Sequence, residues 1–303
     1  MYLYEVIKQV AIDLNQLKRV ANEYEFTASG AGSATTTVNS NFAATNVNEP
    51  PEEDFFKNHA IFITYDAGAA AASPEGRWGS ITAYDETTYT LTHSTLTNAT
   101  ASGDKFFIIS QSLFPISAYV TACNRALKDL GAMTFVDRSL TTAADQTEYS
   151  LPTGVIELLD VRVQTNTSDA NDNRYMRVNG CRLVPPTTTL STAPILYVPQ
   201  QVSGRTLEIH YNGLHPVVSA YNDVIWKYVQ SPLIVNATKK ALLEQFLNGE
   251  GQAAQQHWRN MYDEATQQTE YYKRALPVPI RKKRRDELSW GPYQVDDFGN
   301  ATY

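Results

Sequence analysis

The sequence predicts an α+β protein: a four-helix bundle, made of two helices from the N-terminal half and a C-terminal helical hairpin, with two inserted antiparallel β modules and an extended C-terminal tail. Three observations predict it. Apolar residues recur with a helical period in four separate segments. Two stretches between these segments read as short β runs broken by Asn, Gly, Asp and Pro. The last thirty residues carry Arg281-Lys-Lys-Arg-Arg285 behind two prolines, on an otherwise acidic chain.

The first helix rests on Leu3, Val6, Ile7, Val10, Leu14 and Leu17, which fall on one helical face, and is expected to run to about Ala21 within a segment 1–25. Residues 26–54 are small and polar and are expected to form a linker or mobile loop. Residues 55–111 should be a small β-barrel or sandwich: Ala60-Ile-Phe-Ile-Thr-Tyr, Arg77 to Tyr84, Tyr89-Thr-Leu-Thr and Lys105-Phe-Phe-Ile-Ile read as strands. Turns fall at Asp85-Glu86 and Ser102-Gly-Asp104.

A second helix is expected over 112–131, with Ile116, Tyr119, Val120, Cys123, Leu127 and Leu130 inward and Gly131 as its stop. Residues 132–220 return to β pattern and read as a β-sandwich. A C-terminal helical hairpin follows over 221–275. Ser231 caps its first helix, Pro232 suits the first turn, and Gly249 ends it; Trp258, Met261, Tyr262, Ala265 and Tyr272 stripe the second. Residues 276–303 form the extended tail, which holds too few apolar groups to offset the entropy of ordering itself and is suited to folding against a partner.

Charge divides unevenly. Residues 273–303 hold seven basic and four acidic groups, leaving the body near −10 and the tail near +3. A body this acidic makes a poor general binder of nucleic acid, because phosphate affinity comes from clustered Lys and Arg. There is no basic-then-apolar leader at the N-terminus, and no apolar run of the roughly 18 residues that a membrane span needs. The two cysteines, Cys123 and Cys181, read as a buried hydrophobe and a lone thiol rather than a disulfide.

Chemistry-bearing motifs are few. No phosphate loop, dinucleotide fingerprint, nucleophile elbow, HExxH or CxxC occurs, so no enzyme, cofactor or metal site is expected. His210 and His215 lack a nearby third ligand. The carboxylate pairs at Glu52-Glu53-Asp54, Asp263-Glu264 and Asp296-Asp297 read as solvated faces, and Asp66 and Asp85 as turn caps. The basic run Arg281 to Arg285 is compatible with an idle solvated tail, a nucleic-acid patch or a docking arm; Arg, Trp and Tyr dominate interface anchors, which favours the arm.

Several segments resemble the head-to-tail connector (adaptor or neck) proteins of tailed bacteriophages. They are Ala122-Cys-Asn-Arg-Ala-Leu-Lys-Asp-Leu-Gly, the strand Asp145-Gln-Thr-Glu-Tyr-Ser-Leu-Pro, and Pro232 to Phe246 with the helix around Trp258-Arg-Asn-Met-Tyr. The resemblance covers about 110–275 and, more loosely, 1–25; Trp78 to Ile109 is similar to small β modules of virion proteins. It implies a structural virion protein in the neck, made in the host cytoplasm, and a homododecameric ring under the portal protein that extends the DNA channel. The implied partners are portal protein, neighbouring copies, a downstream tail or stopper protein, and double-stranded DNA passing without sequence-specific binding; no membrane is implied. By analogy the portal-docking residues are Arg281, Lys282, Lys283, Arg284, Arg285, Leu288, Trp290 and Tyr293. An acidic lumen would then repel phosphate and let DNA slide. The alternative is a carbohydrate- or receptor-binding tail protein, whose aromatic platform would draw on Trp78, Tyr84 and Tyr89.

Overall fold

A computed structural model describes residues 1–20, 23–43, 50–68, 74–165, 174–184, 193–248 and 255–280, with 294–295 and 301–302. Among them are four α-helices and fourteen strands in three antiparallel sheets, and a two-residue pairing of Gln294–Val295 with Ala301–Thr302. The chain divides into two compact units, Met1–Asp129 with Val217–Pro277, and Leu130–Pro216 with Val278–Tyr303.

The first unit contains a seven-stranded sheet: β1 (Phe26–Thr27), β2 (Gly30–Ser33), β3 (Thr36–Val38), β4 (His59–Tyr65), β5 (Trp78–Asp85), β6 (Thr90–His93) and β7 (Lys105–Ser110). Its order is β1-β7-β4-β5-β6-β3-β2. The two ends of that order are one bent stretch of chain, because Ala28 N–H donates to Asp104 O (2.8 Å) and Ser29 N–H donates to Val38 O (3.0 Å). The sheet therefore closes on itself as a small barrel, which removes its open edges. Inside lie Phe26, Phe42, Phe56, Ile61, Ile63, Tyr84 and Phe106, with Phe42 edge-on to both Phe26 and Tyr84.

Residues 26–38 thus correct the expected linker. Small side chains are what barrel closure needs there: a Cβ on Gly32 would collide with the Thr36 carbonyl oxygen and Thr100 Oγ1. The short 3-10 turn Ser40–Phe42 then sends Phe42 inward.

The same unit holds α1 (Leu3–Asp13), α2 (Ile116–Asp129), α3 (Ser231–Leu247) and α4 (Gln255–Ala275). α1 stops well before Ala21. Asn15 takes a left-handed backbone (φ 54°), which Asn tolerates, and Gln16 N–H turns back to Ala11 O. Leu14 and Leu17 remain buried, so the apolar spacing continues where the helix does not. α2 ends at Asp129, and Gly131, two residues on with φ 79°, marks the stop. Gln230, rather than Ser231, is the residue before the first turn of α3.

The four-helix bundle with small inserted β modules is not what forms. α3 is buried on most sides and packs on α1, α2 and α4, but the body is dominated by three antiparallel sheets. The reason lies in Ala60-Ile-Phe-Ile63 and Phe106-Phe-Ile-Ile109, which are apolar without alternation. Such strands bury both faces. Their inner residues fill the barrel, while Phe62 and Phe107 stack at 4.8 Å on the outside and Tyr221 meets Phe62 at 5.2 Å. Lys18 N–H also donates to Ile108 O, and Leu17 bridges Ile109. The barrel is one wall of the helical core instead of a module emerging from a bundle.

The second unit has a four-stranded sheet, ordered β11-β10-β14-β8, made of β8 (Met133–Asp137), β10 (Val155–Gln164), β11 (Tyr175–Arg177) and β14 (Leu207–Gly213). A three-stranded sheet, β12-β13-β9, joins β9 (Glu148–Ser150), β12 (Arg182–Val184) and β13 (Ile195–Tyr197). The stretch Gln146-Thr-Glu-Tyr-Ser-Leu-Pro152 works locally. Tyr149 is buried opposite Leu196 on β13, and its hydroxyl donates to Gln146 O (3.1 Å).

Candidate functional site

The eight residues expected to dock a partner, Arg281, Lys282, Lys283, Arg284, Arg285, Leu288, Trp290 and Tyr293, lie outside the described residues. The base of that tail is described. α4 ends at Ala275, and Val278–Ile280 belong to the second unit, where Thr134 N–H on the edge strand β8 donates to Pro279 O (3.3 Å). Pro279 has no N–H to return, which suits it to the margin of a sheet.

The largest polar constellation among the described residues lies on the exposed side of the four-stranded sheet. Charged residues alternate with the core residues Leu159, Val161 and Val163 on β10 and Leu207, Ile209 and Tyr211 on β14. Arg162 and Arg177 face each other across β10 and β11, an arrangement that is repulsive when left bare. Asp160 resolves it: its Oδ2 accepts from Arg162 Nε (2.7 Å) and its Oδ1 pairs with Arg177 Nε (3.0 Å). Glu208 continues the row. It accepts from Arg138 Nε (2.8 Å) and from His210 Nε2 (2.8 Å), with Arg162 Nη1 at 3.6 Å. Tyr175 lies under the Arg138 guanidinium at 5.1 Å.

The two carboxylates are nearly enclosed (side chains 6% exposed), while the arginines are a third to a half exposed. Burial alone would push the Glu208 carboxyl up, but the hydrogen bonds from His210 and Arg138 outweigh it and hold the group below its usual value. The row therefore presents fixed guanidinium groups above two buried carboxyl groups. It contains no nucleophile and base pair, so its chemistry is ionic recognition and bracing. No motif search would find it. The signal was the i, i+2 pairs Asp160/Arg162 and Glu208/His210 inside otherwise apolar strands.

Several of the other singled-out residues have local partners. His210 serves Glu208, and His215 Nδ1 lies 2.7 Å from Pro216 O, so the two histidines have separate duties. No group of three or more His, Cys, Asp or Glu among the described residues is placed to hold a metal ion. Asp54 is held below the usual carboxylate range by Lys57 and the Tyr84 amide, and Glu53 accepts from Glu86 N–H (3.1 Å). Asp85 caps the turn through Thr87 and Thr88 N–H, and Asp66 accepts from Gly68 N–H. Asp263 and Glu264 are exposed on α4, and Asp296 and Asp297 lie outside the described residues. Cys123 and Cys181 are both free thiols, each pushed up to about 12 by burial.

The aromatic platform is absent from its expected place. Tyr84 is buried in the barrel, Tyr89 packs against that core, and Trp78 packs on Phe62 and Tyr221. None of the three leaves a free ring face array. Among the described residues no helix is long and apolar enough to cross a membrane.

The described residues form a sheet-rich body whose most extensive side-chain cluster is an ionic row. Residues 109–283, more than half of the chain, match the family model described as SU10 adaptor protein. The chain belongs to that family of phage head-to-tail adaptors. No curated protein matches it. It is thus a bacteriophage adaptor protein, a virion connector whose family works with portal and tail proteins.

Proposed function

We propose that this chain forms a ring of identical copies beneath the portal of the filled capsid, continues the DNA channel toward the tail, and docks onto portal through residues 281–293. The observation that carries the reading is the adaptor family match over 109–283. Two further features support it. The tail leaves the second unit from an open sheet edge beside β8, where Val136 and Ile280 are exposed (40% and 57%). Its Arg and aromatic content suits a partner's crevices.

Charge refines the channel part. Residues 1–108 hold six basic and thirteen acidic groups, whereas 109–283 hold seventeen and fifteen. The acidity of the body thus resides mainly in the segment preceding the family match. A lumen lined by residues 1–108 would repel the phosphate backbone and let DNA slide. A lumen lined by the Arg138, Arg162 and Arg177 row would grip it instead.

The test mixes purified chain with detergent-free portal and follows mass by light scattering and shape by negative-stain imaging. Rings of chain on portal are expected, and deletion of 281–303 should abolish them while leaving the fold, with Val278–Ile280 retained. A small oligomer indifferent to portal, or a tail-deleted chain that binds portal as tightly, would refute the reading.

A further inference from the structure

α4 is covered along one side only. It spans 21 residues, about 31 Å at 1.5 Å per residue. Phe246 and Phe114 close on Trp258 at 5.5 and 5.8 Å, and Ala265 and Thr269 are its buried residues, so one stripe is packed. The opposite stripe, Asn260, Glu264, Gln267, Tyr271 and Arg274, follows the i, i+3, i+4 spacing of a single helical face and is exposed throughout, with Tyr271 at 62%. Neither Glu264 nor Arg274 has an ion-pair partner among the described residues.

The same unit carries a groove of about 600 Å³ beside α1, open to solvent. Tyr4, Lys8 and Ile12 of α1 line one side, and Tyr65 and Lys105 line the other. Lys8 is spent on Glu25 (3.0 Å), which also accepts from Thr64 Oγ1 (2.7 Å). Lys105 makes no ion pair among the described residues; its charge helps hold the Glu25 carboxyl down, and its Nζ overlies the Tyr65 ring at 5.9 Å. Tyr65 is 51% exposed.

We infer that the free face of α4 in one copy seats in the α1 groove of the next, with Glu264 opposite Lys105 and Tyr271 against Tyr4 and Tyr65. Three features select a second copy as occupant. Both surfaces carry both signs, Glu264 and Arg274 on the helix and Lys8, Lys105, Glu5 and Glu25 in the groove, so the acid of the helix can be set against Lys105 and its arginine against a groove acid. Exposed aromatic rings lie on both surfaces, and Tyr is an interface anchor. The helix face and the groove are different surfaces of one chain, so the contact is head-to-tail and generates a closed ring when its rotation closes. The inference rests on the ring reading above and assigns its subunit contact.

The test uses the full chain with portal and reads assembly against concentration by light scattering, with circular dichroism as a check on each variant's fold. Lys105→Glu places two acids together and Glu264→Lys two bases. Each alone should raise the concentration needed for ring formation by about tenfold or more, because like-charge juxtaposition in an interface is costly. Mixing the two variants should restore assembly, since each then meets an opposite charge on both sides, and the double variant should assemble alone. Normal rings from both single variants would overturn the inference and leave the ring reading standing. So would loss that mixing does not rescue, or rings that form normally and fail only to bind portal. A wild-type chain that makes no ring with portal would sink the ring reading itself.

Discussion

The barrel and the four-stranded sheet satisfy enclosed polar groups in different ways. The barrel's buried polar residues are hydroxyls, the Asn39 amide, the His93 imidazole and Asp104, whose carboxylate accepts from the Ala67 and Ala101 N–H groups (2.9 and 2.8 Å). Thr37 Oγ1 lies 3.0 Å from His93 Nε2, His93 Nδ1 lies 3.0 Å from Ser94 O, and Thr100 donates to the Thr36 carbonyl. Ser94 O can only accept, so His93 donates from Nδ1, and burial lowers the His93 pKa. The four-stranded sheet encloses two carboxyl groups and answers each with arginine. Residues 130–216 contain six arginines and no lysine, which matches the need for planar, multidentate partners to enclosed carboxylates. The barrel answers the enclosed Asp104 carboxylate with backbone N–H groups, whereas the four-stranded sheet answers Asp160 and Glu208 with arginine side chains.

The largest effect is expected where the barrel meets the helices. Phe107→Ala removes a fully buried ring outside β7 and should cost about 3–5 kcal/mol. Urea unfolding followed by fluorescence and circular dichroism should then resolve two transitions if the barrel and the rest of the first unit uncouple. A single transition with an unchanged midpoint would show that this wall contributes little.

Glu208→Gln probes the other region. It removes the charge that Arg138 and His210 bond to and should cost about 1.5–3 kcal/mol at neutral pH. The pH dependence has a definite sign. Because the folded Glu208 pKa lies below the unfolded 4.5, its contribution is present above that value and is lost as pH falls through the folded pKa. Wild type and Glu208→Gln should therefore draw together in stability as pH falls from 4.5 through the folded pKa, and converge below it. A gap that persists there would mean that the row braces the sheet through packing alone.

A smaller change is expected at Gly131, where φ is 79° and an added Cβ meets nothing within 4 Å. Gly131→Ala should cost about 1 kcal/mol of backbone strain, visible as a modest shift in denaturation midpoint. The gentlest lever is mild acid. His93 binds protons less readily folded than unfolded, so stability falls as pH drops through 6.5 toward its folded pKa. His93→Gln should flatten that slope in a urea titration series between pH 7 and pH 5.5. His59 and His215, also lowered by burial, would carry any slope that remains.

The helices were legible in local pattern, although the bundle drawn from them was not the fold. Leu3 to Val10, Ile116 to Leu127 and the stripe of α4 show one-face spacing that survives as helix, and Gly131 and Asp85 act where turn chemistry puts them. The adaptor resemblance over about 110–275 was legible too, because the residues around Gln146-Thr-Glu-Tyr149 and Pro232 to Phe246 carry it, and the family match spans 109–283. The ionic row was only half legible: its members alternate visibly with core residues, but nothing local says that Arg138, Asp160, Arg177 and Glu208 share one face.

Taken alone, the sequence determined where the chain can be helical, that it lacks catalytic motifs, that charge is unevenly divided and which family it joins, since each follows from side-chain identity at short spacing. Only the tertiary structure decided that residues 26–38 close a barrel, that β4 and β7 are buried on both faces, and that the helices share their core with a sheet instead of forming a bundle. Those outcomes depend on backbone hydrogen bonds between segments far apart in the chain. Small polar residues such as Gly30 to Thr36 give no periodic sign of such bonds until their partners are in place.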